Sequence, residues 1–188
     1  MTLPPRPRTL DATLPARPRV LAASLPARPA MVAGALPHLR LGTGIFCSAL
    51  VLAFVGAAAG TPLLIAPLLA TAALKHVAPH DPAVAPRPVI LAHLIGATTG
   101  VVAGALLGDG AIAIALAAAG AAVLMRTLGV VHAPGVATAY VAVQQHADHW
   151  FPLHVALAGA AVLVATTVVL TPVLHGHRYP VRPVAEAG

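Results

Sequence analysis

Apolar residues run almost unbroken through four stretches of this chain, 42–60, 89–107, 111–131 and 152–174. At about 1.5 Å per helical residue, each is long enough to cross a hydrocarbon layer roughly 30 Å thick. Two shorter apolar stretches lie between them, 62–77 and 132–143, and prolines stand near their starts: Pro62 and Pro67 in the first, Pro134 in the second. Proline suits the first turn of a helix and not its interior. After Pro67 only about ten residues remain before Lys75-His76, too few to span alone. Each short stretch is therefore expected to form a half-helix, either re-entrant or completing a crossing through irregular backbone buried in protein. Polar segments separate the runs: residues 78–88, the Gly108-Asp109-Gly110 turn, and Gln144 to Trp150. The pattern predicts an all-α polytopic membrane bundle of four long helices and two short ones.

The two short stretches echo one another. Ala66-Pro67-Leu68-Leu69-Ala70-Thr71-Ala72 and Ala133-Pro134-Gly135-Val136-Ala137-Thr138-Ala139 share the pattern A-P-x-x-A-T-A. Each follows a long apolar run and precedes a polar loop and another long run. This predicts an internal repeat with halves at about 42–107 and 111–174 inside a transmembrane domain spanning 41–178, the arrangement of many transporters.

Composition sharpens the class. The 188 residues are 59% hydrophobic and 9% charged, and the mean hydropathy is +0.88. A water-soluble domain carries about 25% charged residues, so too few charges remain here to cover a surface facing water. Six of the eleven basic residues precede position 41 (Arg6, Arg8, Arg17, Arg19, Arg28 and Arg40). They belong to a segment, 1–40, with an eleven-residue repeat: Thr13-Leu14-Pro15-Ala16-Arg17-Pro18 returns as Ser24-Leu25-Pro26-Ala27-Arg28-Pro29. Its prolines forbid a continuous helix and predict a disordered, polyproline-like tail. Basic residues flanking apolar spans point to membrane orientation and anionic lipid headgroups, not to nucleic acid. They place this tail and the C-terminal one, 179–188, on the cytoplasmic side of a multi-pass cell-membrane protein. Six crossings would put Lys75, Arg87 and Arg126 on that side, with Asp109 and Asp148 outside. Single Cys47 excludes an intramolecular disulfide. Glycines such as Gly42, Gly44, Gly56 and Gly60 allow close helix contact, and a homo-oligomer is compatible with them.

The candidate chemistry lies at the short helices. A helix that begins inside a membrane leaves backbone N–H groups without partners, and its N-terminus carries about half a positive charge, which attracts an anion. Pro67 and Pro134 mark these starts, Thr71 and Thr138 offer hydroxyls one turn in, and His132 stands at the cap of the second. His93 and Arg126 supply further positive charge. Each also has a plainer role: the threonines bonding back to helical carbonyls, the histidines serving as packing or cap residues, Arg126 anchoring at the interface. A second pattern is histidine-rich: His146, Asp148, His149 and His154, with His76, His80 and Asp81 in the earlier loop and His175 and His177 at the end, a metal-ligand composition without cysteine. No nucleophile elbow, phosphate loop or intramembrane carboxylate pair is present, so neither an enzyme nor a cofactor is expected.

The run from Leu124-Met125-Arg126-Thr127 to His132-Ala133-Pro134-Gly135-Val136-Ala137-Thr138-Ala139 resembles the signature of the HPP family, small integral membrane proteins of bacteria and plants named for a His-Pro-Pro motif. Pro86-Arg87-Pro88 with His93 downstream, Ala70-Thr71-Ala72, Trp150-Phe151-Pro152 and Arg178-Tyr179-Pro180 agree with it, so the resemblance covers about residues 42–182. Two departures stand out: the motif reads His-Ala-Pro, and Gly129-Val130-Val131 is inserted between Thr127 and His132. The resemblance implies a four-helix membrane region and, from some members, nitrite transport. Together the readings make the chain a carrier or channel for a small inorganic anion. The alternatives are a non-transporting scaffold or sensor, with a solid core, and a histidine-dependent metal ion transporter. A transporter is expected to show a cavity lined by His132, Thr138 and Thr71.

Overall fold

The computed structural model describes residues 35–180, and among these there is no strand. The helices are α1 (Leu36–Ala59), α2 (Ala66–Val77), α3 (Pro86–Leu107), α4 (Ala111–Thr127), α5 (Ala133–Gln144) and α6 (Ala158–His175). A 3₁₀ turn, Pro82–Val84, precedes α3, and a π-helical segment, Pro152–Leu157, leads into α6. Residues 1–34 and 181–188, which hold most of the arginine-proline tail, lie outside the described residues.

Local chemistry sets the boundaries. Prolines occupy the first turns of α2, α3 and α5, where no intrahelical N–H is needed. Gly108 and Gly176 end α3 and α6 with φ of 76° and 73°, a region open to glycine. Three segments are long and apolar enough to cross a membrane: α1 with 24 residues, α3 with 22, and Pro152–His175 with 24. The expected fourth long helix over 111–131 is shorter than its apolar run: α4 stops at Thr127 after 17 residues, because Gly129 adopts φ 65° and the chain turns toward α5. The first span begins at Leu36 and not at Gly42. The two short helices are 12 residues each, about 18 Å long, and so are half-helices as expected.

Lipid exposure explains the outer surface. Phe54 is 70% exposed, Leu106 75%, Ile112 73% and Val173 78%, whereas water-soluble monomers rarely display apolar surface on this scale. Ten polar side chains are turned inward instead: Ser48, Thr71, Lys75, His76, His93, His132, Thr138, Thr166, Thr167 and Thr171 are all buried.

The halves share one packing plan. The buried residues of α2 are Pro67, Leu68, Thr71, Ala72, Lys75 and His76. Those of α5 are Pro134, Gly135, Thr138, Ala139, Ala142 and Val143, each the residue 67 positions further on. In α1 the buried stripe is Gly44, Ser48, Leu52 and Gly56, and in α4 it is Ala113, Ala117, Ala121 and Met125, with the same four-residue step. The pairs in contact correspond as well: α1 meets α2 as α4 meets α5, α1 meets α6 as α4 meets α3, and α2 meets α6 as α5 meets α3. In such a scheme α2 against α5 and α3 against α6 are self-paired, and both pairs are in contact. The chain is packed as an internal repeat around a centre formed by α2, α3, α5 and α6.

Close backbone approach at that centre depends on glycine. A Cβ on Gly96 would collide with the carbonyl oxygen of Gly135, one on Gly135 with the carbonyl of Ala92, and one on Gly100 with the carbonyl of Ala139. Thus α3 and α5 meet backbone to backbone, the small-residue mode of membrane helix packing. The corresponding contact in the other half is Leu68 of α2 seated over Gly159.

Candidate functional site

The close approach of α3 to α5 puts His93 beside Thr138, and α2 closes over the same ring from the other side. His93 Nδ1 lies 2.7 Å from Thr138 Oγ1 and His93 Nε2 lies 2.8 Å from Thr71 Oγ1. The two repeat-related threonines therefore hold the two nitrogens of one imidazole. His132, the residue capping α5, reaches the same hydroxyl: its Nε2 is 2.9 Å from Thr71 Oγ1. The His93 and His132 rings stand edge to face with centroids 5.5 Å apart. Both threonines also reach back to the proline carbonyl four residues earlier, Thr71 to Pro67 at 3.1 Å and Thr138 to Pro134 at 3.2 Å. Thr71, His93, His132 and Thr138 are each at most 1% exposed.

One atom of this network stands out. His132 Nδ1 is buried and has no hydrogen-bond partner, and leaving a buried polar atom unpaired costs about 1–3 kcal/mol. His132 does not cap α5 through its side chain either. Among the described residues, its Nδ1 is the one buried side-chain polar atom without a partner.

Six of the seven residues expected at the site belong to this centre: Pro67, Thr71, His93, His132, Pro134 and Thr138. Arg126 does not. It is exposed at the last turn of α4, where its long side chain reaches the interface. The expected cavity between His132, Thr138 and Thr71 is filled by the side chains themselves, which bond directly to one another. The plain role of the threonines, bonding back to helical carbonyls, and their role at the histidines coexist.

Lys75 was read from the sequence only as a charge facing the cytoplasm, and the structure puts it in the core. It lies one turn beyond Thr71 on the buried face of α2 and is 1% exposed. Its ammonium donates to Tyr179 Oη and sits 4.1 Å from the centre of the Tyr179 ring, a cation–π contact. Tyr179 Oη in turn donates to the Val84 carbonyl at 2.7 Å. Burial pushes the Tyr179 phenol well above its ordinary pKa, so the ring remains a neutral phenol and gives Lys75 no counter-charge. The acids among the described residues, Asp81, Asp109 and Asp148, are all exposed. The one ion pair formed among those residues joins Asp109 to His146. Lys75 thus has no carboxylate partner among the described residues. The signal available in the sequence was its spacing of four from Thr71; Tyr179, 104 residues away, gave none.

A second polar group forms near the chain's end. Ser48 Oγ is 3.4 Å from His76 Nε2, and His76 Nδ1 is 3.3 Å from His175 Nε2. His177 stacks on His175 and meets His80 at a tilt, with ring centroids 5.9 Å and 5.1 Å apart. The loop histidines His146, His149 and His154 do not join them. Among the described residues, no three His, Cys, Asp or Glu side chains gather at metal-binding distance.

The fold and this centre define a polytopic helical membrane protein with a buried polar core. The profile of the family described as "HPP, transmembrane region" matches residues 32–180, and the chain belongs to that family. No curated protein and no solved structure matches it.

Proposed function

We propose that the protein carries a small monovalent inorganic anion across the membrane, with nitrite and its like as the substrate class. The observation that supports this most is Lys75, a buried amine in a membrane helix with no carboxylate partner among the described residues. A buried ammonium without counter-charge is strongly unfavourable, and intramembrane ionisable groups mark substrate paths. An anion supplies what is missing. His132, whose Nε2 meets Thr71 Oγ1 one turn before Lys75 on α2, supplies the second contact whenever its Nδ1 bears a proton. The nitrite preference and the small size come from the family resemblance; the charge comes from the site.

In this reading the closed centre is the occluded form of the carrier, and the internal repeat supplies the means of opening it. Crossings by α2 and α5, completed by their flanking irregular segments, bring the number to six and give the halves opposite orientation. Rocking one half against the other then exposes the centre to either side in turn. Both chain ends face the same side in this topology, and the basic N-terminal segment favours the cytoplasm.

The test is uptake by purified protein in liposomes, comparing nitrite, nitrate, chloride and zinc. Saturable anion uptake, reduced in Lys75→Met and His132→Ala protein that remains folded, is the expected result. The closed core also favours a second reading, a scaffold or sensor that moves nothing. Absence of any flux from folded, inserted protein would establish that reading and remove the transport one.

A further inference from the structure

The two halves close their ends differently. Residues 176–180 leave α6 at Gly176, whose φ of 73° turns the chain out of the helix, and they form a short irregular strap over the end of α2. Among the described residues, the backbone of 177–180 makes no hydrogen bond to another backbone group. Side chains hold the strap instead. Tyr179 Oη donates to the Val84 carbonyl and accepts from the Lys75 ammonium, the Tyr179 ring lies against that ammonium, and His177 meets His80. Tyr179 is only 6% exposed although it belongs to no helix. One phenol both fastens the strap and covers the amine.

The repeat shows the same place without a strap. A step of 67 residues, the one that relates α2 to α5, carries Lys75, His76 and His80 to Ala142, Val143 and Ala147. It relates Thr171 and Pro172 to Gly104 and Ala105. Those five residues of the second set, with His146, line a cavity of about 160 Å³. The residue that corresponds to Tyr179 is Ile112, which lies in α4 and is exposed. Among the described residues, the second half has nothing in the role of Tyr179.

We propose, resting on the transport reading, that Tyr179 is the gate residue of the Lys75 site and that the anion passes beneath the strap 176–180 on that side of the membrane. The phenol oxygen is a neutral acceptor, and an anion makes a stronger, charge-assisted bond to the ammonium. An anion that reaches Lys75 therefore displaces the phenol. The strap then keeps only its bond to Val84 and the histidine contact, and it swings away from α2 about Gly176, where glycine permits the change of backbone angle. When the anion leaves, the ammonium returns to Tyr179 and the strap closes. No proton changes hands, since the ammonium donates and the hydroxyl accepts from it in the closed state, and the anion simply takes the hydroxyl's place. A ligand shifts such an equilibrium only by what it binds differently in the two states; here the difference is the acceptor at Lys75.

Lys75 is the only lysine in the chain, so opening can be read at a single amine. Purified protein in liposomes is exposed on both faces to a water-soluble acylating reagent, and modification of the Lys75 peptide is followed by mass. Tyr179→Phe keeps the ring and removes both hydrogen bonds of the hydroxyl. It is expected to raise the acylation rate about tenfold, and Tyr179→Ala to raise it further. A rate unchanged in Tyr179→Phe overturns the gate. In a second arm the strap is fixed in place: His80→Cys and His177→Cys, in a Cys47→Ala background, are bridged by a short bis-thiol reagent that a reductant cleaves. The bridge is expected to stop nitrite uptake and slow acylation of Lys75, and the reductant to restore both. Uptake unchanged by the bridge overturns the gate and leaves the transport reading standing. Absence of uptake in unbridged wild-type protein removes the transport reading and the gate with it. Should the double-cysteine variant fail to insert, the acylation of wild type against Tyr179→Phe decides alone.

Discussion

Helices α2 and α5 follow the same plan and do different things. Both are 12 residues long, both have a proline in the first turn, and both bury the same six positions. Their threonines make the same bond to a proline carbonyl and hold opposite nitrogens of His93. Yet the position that is Lys75 in α2 is Ala142 in α5, and the cap that is His132 before α5 is Ile65 before α2. Leu68, which projects over Gly159, corresponds to Gly135, which lets α3 touch α5. The repeat supplies the frame, and the chemistry sits where its symmetry is broken. A symmetric centre would present two equal faces; this one has a buried amine on one half and an unpaired ring nitrogen on the other.

The largest expected effect tests the broken packing symmetry. Gly135→Ala pushes a methyl against backbone of α3 that has no freedom to move, and we expect it to lose about 3 kcal/mol, the upper end of overpacking. Gly159→Ala meets the end of the Leu68 side chain, which can rotate away, and should cost about 1 kcal/mol. Thermal unfolding of the two purified variants decides; equal losses would mean that the two contacts are equivalent after all.

Next is the broken charge symmetry. Lys75→Met is expected to reduce anion uptake by about 10- to 100-fold, the worth of a charge-assisted hydrogen bond. It should leave stability equal or higher, because replacing a buried charge by an apolar group of similar size is often neutral or better. Retained uptake would exclude Lys75 from the site. A smaller effect separates the paired threonines. Thr71→Val and Thr138→Val each remove one hydroxyl from His93, but only the first also disconnects His132, so nitrite uptake should fall further in Thr71→Val. The reverse order would move the anion contact to the α5 side. Arg126→Gln should be the mildest, within about 0.5 kcal/mol in stability and near wild type in uptake; a large transport loss would return Arg126 to the substrate path.

The frame was readable in advance because its causes are local. Unbroken apolar runs, prolines at helix starts and the A-P-x-x-A-T-A echo depend on neighbours a few residues apart, and they sufficed for the helices, the half-helices and the repeat. They misjudged α4, whose apolar run continues past its helix: Leu128, Val130 and Val131 are as apolar as anything before them, and the turn at Gly129 ends the helix.

The sequence by itself determined an all-helical membrane chain with a polar centre at Thr71, His93, His132 and Thr138, because in lipid each buried polar side chain must find a partner and few other groups were present to meet. Tertiary structure alone decided the partners. That Thr71 serves two histidines, that His132 is left with one free nitrogen, that Arg126 points away, and that Lys75 is enclosed by a tyrosine from the far end of the chain all follow from how closely α3 can approach α5 and how α2 closes over them. Hydropathy counts a lysine at the end of a short helix as exposed; only packing reveals which face of that helix it shares.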